Sequence, residues 1–231
     1  MRRFYREAAV QSVDGGFLVA LDGRPLRTPG RAQLRLPTAG LAEAIAEEWR
    51  AQTDKIRPAS MPLTQFANTA IDRVVPDRAP VIDELIAYGG TDLVCYRAEE
   101  PPSLVERQQR LWQPLLDWLA QSHDALLAVY QGVVPRPQPG AALDSLRRSV
   151  GALTGFHLTG LMAAAQASGS LVIALALAEG RITPDDAFDL AQLDESFQIE
   201  RWGEDAEATA RRRLLRQDIA DIHRFLTLLA D

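Results

Sequence analysis

The segment Leu171–Ala178, with the sequence LVIALALA, is apolar at every position. A helix that is apolar on all sides is buried in a protein core or spans a membrane, because none of its faces suits water. This segment is far shorter than the roughly 20 residues that a membrane span needs. We therefore predict that it forms the central helix of a helical domain.

Helical patterns continue on both sides of this segment. Ser103 stands where the N-cap of a long helix is expected, and Pro114 is expected to kink that helix. An alanine-rich helix is predicted around residues 158–167. The sequence Thr183–Asp186 combines an N-cap, a first-turn proline and an acid three residues on, so it marks the start of another helix. The last helix is predicted over about residues 206–229.

The first third of the chain is instead rich in strand patterns. The run Phe17–Leu21 has the two-residue repeat of a strand, and it lies between the turn sequences Asp14–Gly16 and Asp22–Gly23. A small antiparallel meander is therefore predicted over roughly residues 3–36. Thr38 is expected to cap the first helix after it.

These patterns predict an α+β fold with two domains. A small N-terminal antiparallel β-domain with helices is assigned to residues 1–76. A larger all-α domain is assigned to residues 77–231. The proline-bounded stretch from Pro76 to Pro80 is the predicted linker.

Composition narrows the possible functions. The 231 residues carry a net charge of −6, which disfavours nucleic acid and anionic lipid as ligands. Cys95 is the only cysteine, so an intrachain disulfide and a cysteine-rich zinc site are excluded, and a buried side chain is expected there. The first residues lack the apolar core of a secretion signal. A soluble cytoplasmic protein without stable membrane insertion is predicted.

Sequence motifs for catalysis and cofactor binding are missing. His123, His157 and His223 are scattered and form no HExxH pair. No GxSxG nucleophile motif, no GxxxxGK[ST] phosphate loop and no GxGxxG dinucleotide motif occurs. Because these motifs are missing, we predict no catalytic residue, no metal site and no cofactor.

The remaining candidate site is the acidic segment Leu193–Glu207, into which the helix that starts at Thr183 is predicted to continue. At helical spacing Glu195, Gln198 and Trp202 fall on one face, because residues three and four apart are neighbours on a helix. Trp202 is the tryptophan expected to be partly exposed. This face combines an acid, an amide and a large ring.

Further residues of the segment extend this pattern. Asp194 lies on the adjacent face, Gly203 is predicted to break the helix, and Asp205 is predicted to cap the next one. Three interpretations stay open for the carboxylates. They form a solvated helix face with a cap, they bind a partner protein, or Glu195 and Asp205 serve a metal-assisted hydrolase.

Short motifs spread along almost the whole chain are specific when taken together. They are Arg3–Tyr5, Leu21–Pro29, Glu48–Gln52, Met61–Thr64, Asn68–Asp72, Thr91–Ala98, Trp112–Leu115, Ser168–Ser170, Glu195–Gln198 and Trp202–Gly203. On these motifs the chain resembles the assembly chaperones of the F-type ATP synthase catalytic head that bind its alpha subunit, the Atp-twelve family.

The resemblance implies a chaperone and not an enzyme, with an N-terminal β-containing domain followed by an α-helical domain. It also implies that the partner is the unassembled alpha subunit, whose exposed interface would otherwise aggregate. An acid corresponding to Asp194 or Glu195 is tied to function in the family. Those two residues, together with Gln198, Trp202 and Asp205, are therefore predicted to bind the partner.

The start of the chain bears on where the protein acts. It begins at the family's first motif without a mitochondrial presequence, so we expect a bacterial member that acts in the cytoplasm as a monomer. Eukaryotic relatives are expected in the mitochondrial matrix. A general protein-interaction module with another partner stays an alternative, as does the hydrolase.

Overall fold

The computed structural model describes residues 1–203 and 205–230. An antiparallel sheet with helices occupies the N-terminal part, and helices with one short pair of parallel strands make up the rest, so the predicted α+β fold is confirmed. The strands are β1 (Ala8–Val13), β2 (Gly16–Leu21), β3 (Arg24–Pro25), β4 (Arg35–Leu36), β5 (Tyr96–Arg97) and β6 (Tyr130–Gln131). The α-helices are α1 (Ala39–Arg50), α2 (Pro62–Thr69), α3 (Ala79–Gly90), α4 (Pro102–His123), α5 (Gly140–Gly151), α6 (Gly155–Ser168), α7 (Leu171–Ala178), α8 (Pro184–Ala191), α9 (Leu193–Trp202) and α10 (Ala206–Thr227).

The chain divides into two compact units. The first consists of Met1–Arg78, Thr154–Gly160 and Asp221–Asp231, and the second consists of Ala79–Leu153 and Leu161–Ala220. Segments that are distant in sequence are thus grouped in the first unit. The domains assigned to residues 1–76 and 77–231 stay a prediction.

The sheet of the first unit is built around β2. β1 pairs with β2 along its whole length, with Val10 opposite Val19. On the other edge of β2, β3 pairs with the last residues, and β4 pairs with the first, where Phe17 lies opposite Leu36. The predicted antiparallel hairpins are confirmed. The order is not that of a simple meander, because the short β3 leaves half of this edge open for β4.

α7 is the buried centre of the second unit, as its composition predicts. Its residues from Leu171 to Leu177 are all buried. The buried carboxylate of Asp92 accepts hydrogen bonds from the Ser170 hydroxyl (2.6 Å) and the Val172 N–H (3.0 Å) at the start of the helix. Burial raises the pKa of Asp92 to about 6. Among the described residues, no helix is long and apolar enough to cross a bilayer.

Asp92→Asn is expected to remove a pH dependence of stability. The pKa of Asp92 is about 6 in the folded chain against an ordinary 3.8, so the folded state binds this proton more tightly. The stability from this group is therefore fully present below about pH 4 and is lost as the pH rises through about 6. The loss corresponds to about 3 kcal/mol.

Urea unfolding at several pH values measures this effect. Below about pH 4 the protonated acid and the amide are both neutral, so the two proteins should differ least from this charge. As the pH rises to about 7, the unchanged protein should lose about 3 kcal/mol relative to the variant, because only the unchanged protein has this titration. Other titrating acids are present in both proteins and cancel in the difference. A gap that does not change with pH would contradict the assignment.

The start of α4 corrects one prediction. Its N-cap is Pro101 rather than Ser103, and Pro102 occupies the first turn. Proline is suited to this position, because its backbone angle matches the helix and its missing N–H would have no partner there. The Ser103 hydroxyl instead accepts a hydrogen bond from the Arg201 guanidinium (3.1 Å).

The acidic segment lies on a helix of its own, so the predicted continuation of one helix into it is wrong. α8 ends at Ala191, Gln192 departs from helical angles, and α9 begins at Leu193. The indole N–H of Trp112 donates to the Leu190 carbonyl (3.0 Å), one of the last carbonyls of α8, which have no partner within the helix. Trp112 lies on α4, so this contact could not be predicted from the residues around the end of α8.

Candidate partner-binding site

α9 turns one face toward the interior of the second unit and the other toward solvent. Leu193 and Phe197 are buried, whereas Glu195 is half-buried and Gln198 and Trp202 are exposed. The last three residues share the outward face, as their helical spacing predicts. The structure thus brings together three of the residues predicted to bind a partner.

Trp202 stands out on this face because 76% of it is exposed. The indole is a large apolar group that normally gains free energy by burial. Gly203 ends α9 directly after it with φ +85°, an angle that glycine adopts readily, and its N–H bonds to the Ile199 carbonyl (2.8 Å). The predicted exposure of Trp202 and the predicted break at Gly203 are confirmed.

Asp205 has a different position from the other predicted residues. Its carboxylate accepts a hydrogen bond from the Ala208 N–H (2.8 Å) and so caps the first turn of α10. The predicted capping role of Asp205 is confirmed. A partner-binding role for the same carboxylate stays a prediction.

Asp194 points toward α4 rather than directly outward. Its carboxylate accepts a hydrogen bond from the side-chain amide of Gln108 (2.8 Å), which is buried. The amide oxygen of Gln108 in turn accepts from the Ala98 N–H (2.8 Å). Gln108 therefore fixes Asp194 in the first turn of α9.

Two arginines enclose the buried ring of Phe197 on α9. The guanidinium of Arg107 lies 5.2 Å from the ring centroid and that of Arg201 lies 4.4 Å from it. Arg107 also donates two hydrogen bonds to the Glu200 carboxylate (2.7 and 2.8 Å). This two-point pairing holds the solvent-facing side of α9 against α4.

A third contact holds α9 from α10. The guanidinium of Arg212 donates to the Ser196 hydroxyl (2.8 Å) and to the Gln192 side chain (3.2 Å). α9 is therefore fixed on both sides before any partner binds. Sequence reasoning missed Arg107, Gln108 and Arg212, because each is distant in sequence and no local pattern marks it.

Arg97 is a buried cation beneath this site. One of its guanidinium nitrogens donates to the Val94 carbonyl, and the others, Nε and Nη2, have no hydrogen-bond partner among the described residues. Burial lowers the pKa of Arg97, and the charge of Asp194 opposes that shift. The guanidinium lies 5.2 Å from the ring of Trp112, which supplies a second favourable contact.

Trp202 is the feature of the site that suits a protein-binding surface, because it is a large and mostly exposed aromatic side chain. Within the described part of the chain, no group of three or more His, Cys, Asp or Glu side chains is placed to hold a metal. The carboxylate of Asp205 caps α10, whereas Glu195 lies on α9. Tryptophan is enriched at protein–protein interfaces, so an exposed indole on a fixed helix is a candidate contact for a partner protein.

Comparisons with known proteins agree with a function in binding other proteins. The sequence model of the family described as "ATP12 chaperone protein" matches residues 2–120. The protein "atp12, mitochondrial" of Schizosaccharomyces pombe is 25% identical over 214 residues, which cover 87% of this chain and 74% of the relative.

Solved structures are similar over nearly the whole chain. The crystal structure of Atp12 from Paracoccus denitrificans is 46% identical, with a TM-score of 0.94 and coverage of 99% of this chain and 98% of that one. The Atu1473 protein from Agrobacterium tumefaciens is 38% identical, also with a TM-score of 0.94, over 99% of this chain and 86% of that one.

The chain belongs to the ATP12 chaperone family. It is a chaperone of ATP synthase assembly and not an enzyme, which confirms the prediction from the sequence and removes the hydrolase alternative. Its partner is accordingly a subunit of ATP synthase.

Proposed function

We propose that this chaperone binds the unassembled alpha subunit of the ATP synthase catalytic head and shields its interface until assembly. The exposed indole of Trp202, on the same face of α9 as Glu195 and Gln198, is the observation that carries the proposal. Asp194 and Asp205 belong to the site as residues that fix the two ends of this surface through Gln108 and through the cap of α10.

The physical need for such a surface follows from assembly. A subunit that awaits its neighbours exposes apolar area that favours aggregation. A tryptophan can cover such area and still form a hydrogen bond through its N–H, and the acid and amide beside it add specificity. Since Arg107 and Arg212 hold α9 in place, little conformational entropy is lost on binding.

We also propose that the protein acts as a monomer in the bacterial cytoplasm, where the alpha subunit is made. Eukaryotic relatives would act in the mitochondrial matrix. No nucleic acid or membrane is part of this proposal, in line with the net charge of −6.

Co-purification with a separately expressed alpha subunit tests the proposal directly. A tagged chaperone should retain the alpha subunit in a complex of one copy each, and it should not retain the beta subunit under the same conditions. Size-exclusion chromatography of the two mixtures measures this difference. Recovery of no complex with the alpha subunit would disprove the proposal.

Glu195→Lys is expected to weaken this complex about 10-fold without unfolding the chaperone. The substitution reverses a charge on the proposed contact face, whereas a surface change alters stability by only about 0.5 kcal/mol. Affinity by calorimetry and melting by circular dichroism separate the two effects. Asp144→Lys, an exposed position on α5, makes the same change of charge outside the proposed site. Equal weakening by both variants would show an effect of net charge rather than of the site.

A further inference from the structure

A polar cavity of about 680 Å³ lies in the first unit, where the start of the chain meets the segment that follows α1. Its lining residues are Arg2, Arg3, Tyr5, Thr53, Asp54 and Lys55. Among these residues three cations accompany one carboxylate, in a chain whose net charge is −6. Because the field of clustered cations attracts opposite charge, the cavity suits an anionic ligand.

Arg2 and Lys55 are paired across a short antiparallel bridge in this cavity. The backbone hydrogen bonds of the bridge join the residues before and after them, with N···O distances of 3.0 and 2.9 Å. Arg2 and Lys55 are therefore a non-hydrogen-bonded pair, in which the two side chains lie on one face and close together. Like charges directly opposite each other in such a pair are destabilising. Folding alone thus gives no reason for two cations at these positions.

The other side chains of the cavity do not neutralise this pair. Neither Arg2 nor Lys55 forms an ion pair or a side-chain hydrogen bond with any residue that the structure describes. Arg3 is fixed instead, because its guanidinium donates to the Gln52 carbonyl after the end of α1 (2.7 Å) and lies 4.7 Å from the centre of the Tyr5 ring. Arg2 and Lys55 are therefore the cations that can reach a ligand, with Arg3 as a fixed charge beside them.

Exposed apolar side chains next to the cavity indicate what kind of anion it takes. Phe4 is 63% exposed and its ring lies edge-on to that of Tyr5, with the centres 5.4 Å apart, and Met1 is also exposed. Phosphate sites are commonly built from backbone N–H groups at a helix N-terminus, whereas this cavity follows the C-terminal end of α1. A polypeptide supplies both carboxylates and apolar side chains, so it suits this surface better than a phosphate does.

We propose that Arg2 and Lys55 bind the carboxylates of an acidic segment of another polypeptide, whose apolar side chains contact Phe4. The guanidinium of Arg2 can donate two parallel hydrogen bonds to a carboxylate, and the ammonium of Lys55 adds a second charge-assisted donor. The bound carboxylates would also remove the repulsion between the two cations. This site lies in the first unit and goes beyond the proposed function, which concerns α9 in the second unit.

Calorimetry with a synthetic peptide of alternating glutamate and leucine tests the proposal. The unchanged protein should bind this peptide, and more weakly as salt is added, because salt screens exposed charges. The double variant Arg2→Gln/Lys55→Gln should bind it at least about 10-fold more weakly. Arg24→Gln/Arg213→Gln removes the same charge from exposed arginines outside the cavity and should change the affinity by less than about twofold.

Lys55 also provides a direct reporter, because it is the only lysine in the chain. Reductive methylation with ¹³C-formaldehyde labels Lys55 and the terminal amine of Met1 and keeps their charges. Addition of the glutamate–leucine peptide should shift the methyl signal of Lys55 in the NMR spectrum. If the double variant melts early, this measurement decides, and an unshifted signal at saturating peptide would overturn the proposal.

The remaining outcomes identify other ligands. Equal affinity of the double variant and the unchanged protein for the peptide would show that the cation pair is not the site. Tripolyphosphate binding as tight as that of the peptide, or binding to vesicles of anionic lipid without binding to the peptide, would overturn the polypeptide ligand. An alternating glutamate–serine peptide should bind more weakly, and equal affinity would overturn the role of Phe4. The proposed function is measured separately with the alpha subunit, so each of these failures leaves it standing.

Discussion

Trp112→Ala is expected to lower the free energy of unfolding by about 4 kcal/mol. Trp112 is fully buried, so its removal leaves a large cavity between α4 and α8. The variant also loses the hydrogen bond from the indole to the Leu190 carbonyl and the contact with the Arg97 guanidinium. Arg97 would then be a buried cation with even fewer favourable neighbours.

Denaturant unfolding followed by circular dichroism measures this loss. Trp112→Phe is the matched control, because it keeps one aromatic ring in the core but loses the hydrogen bond and part of the fused ring, so a smaller loss of about 2 kcal/mol is expected. A loss of less than about 1 kcal/mol for Trp112→Ala would contradict this description of the core. Because the indole bonds to the end of α8, the alanine variant should also weaken the junction that orients α9.

Trp202→Ala is expected to weaken binding of the alpha subunit by about 30-fold or more, with an unchanged melting curve. Truncation of a central tryptophan at a protein interface typically costs at least about 2 kcal/mol. The side chain is 76% exposed in the free chaperone, so its removal creates no cavity. Trp202→Ala should therefore lower affinity and keep stability, whereas Trp112→Ala should lower stability.

Calorimetry with the purified alpha subunit measures the affinity of this variant. Trp202→Phe is the control, because it retains an aromatic ring and should retain most of the affinity. Unchanged binding by Trp202→Ala would exclude the outward face of α9 as the contact. It would leave open only a site elsewhere in the chaperone.

Several elements were predictable because their cause is local. Thr38 caps α1 by accepting a hydrogen bond from the Leu41 N–H, and the Thr183–Asp186 capping box starts α8. Leu171 to Leu177 are buried because no face of this helix is polar. In each case a few neighbouring residues contain the whole physical reason.

Other features were not predictable because their cause lies far along the chain. The end of α8 accepts a hydrogen bond from Trp112, and Asp194 accepts one from Gln108, although both donors lie far away in sequence on α4. β4 returns to β2 because β3 is short, which is a property of pairing and not of the residues in β4. The start of α4 at Pro102 was missed because Ser103 also suits a helix start.

The candidate site divides in the same way. Local spacing on a helix was enough to place Glu195, Gln198 and Trp202 on one face, and a glycine was enough to end that helix. Only tertiary structure decided that α9 is a separate helix held by α4 and α10, because long-range hydrogen bonds, ion pairs and ring contacts fix it. The sequence by itself thus determined which residues could face outward together. Packing decided how rigidly they are presented, because that rigidity comes from partners distant along the chain.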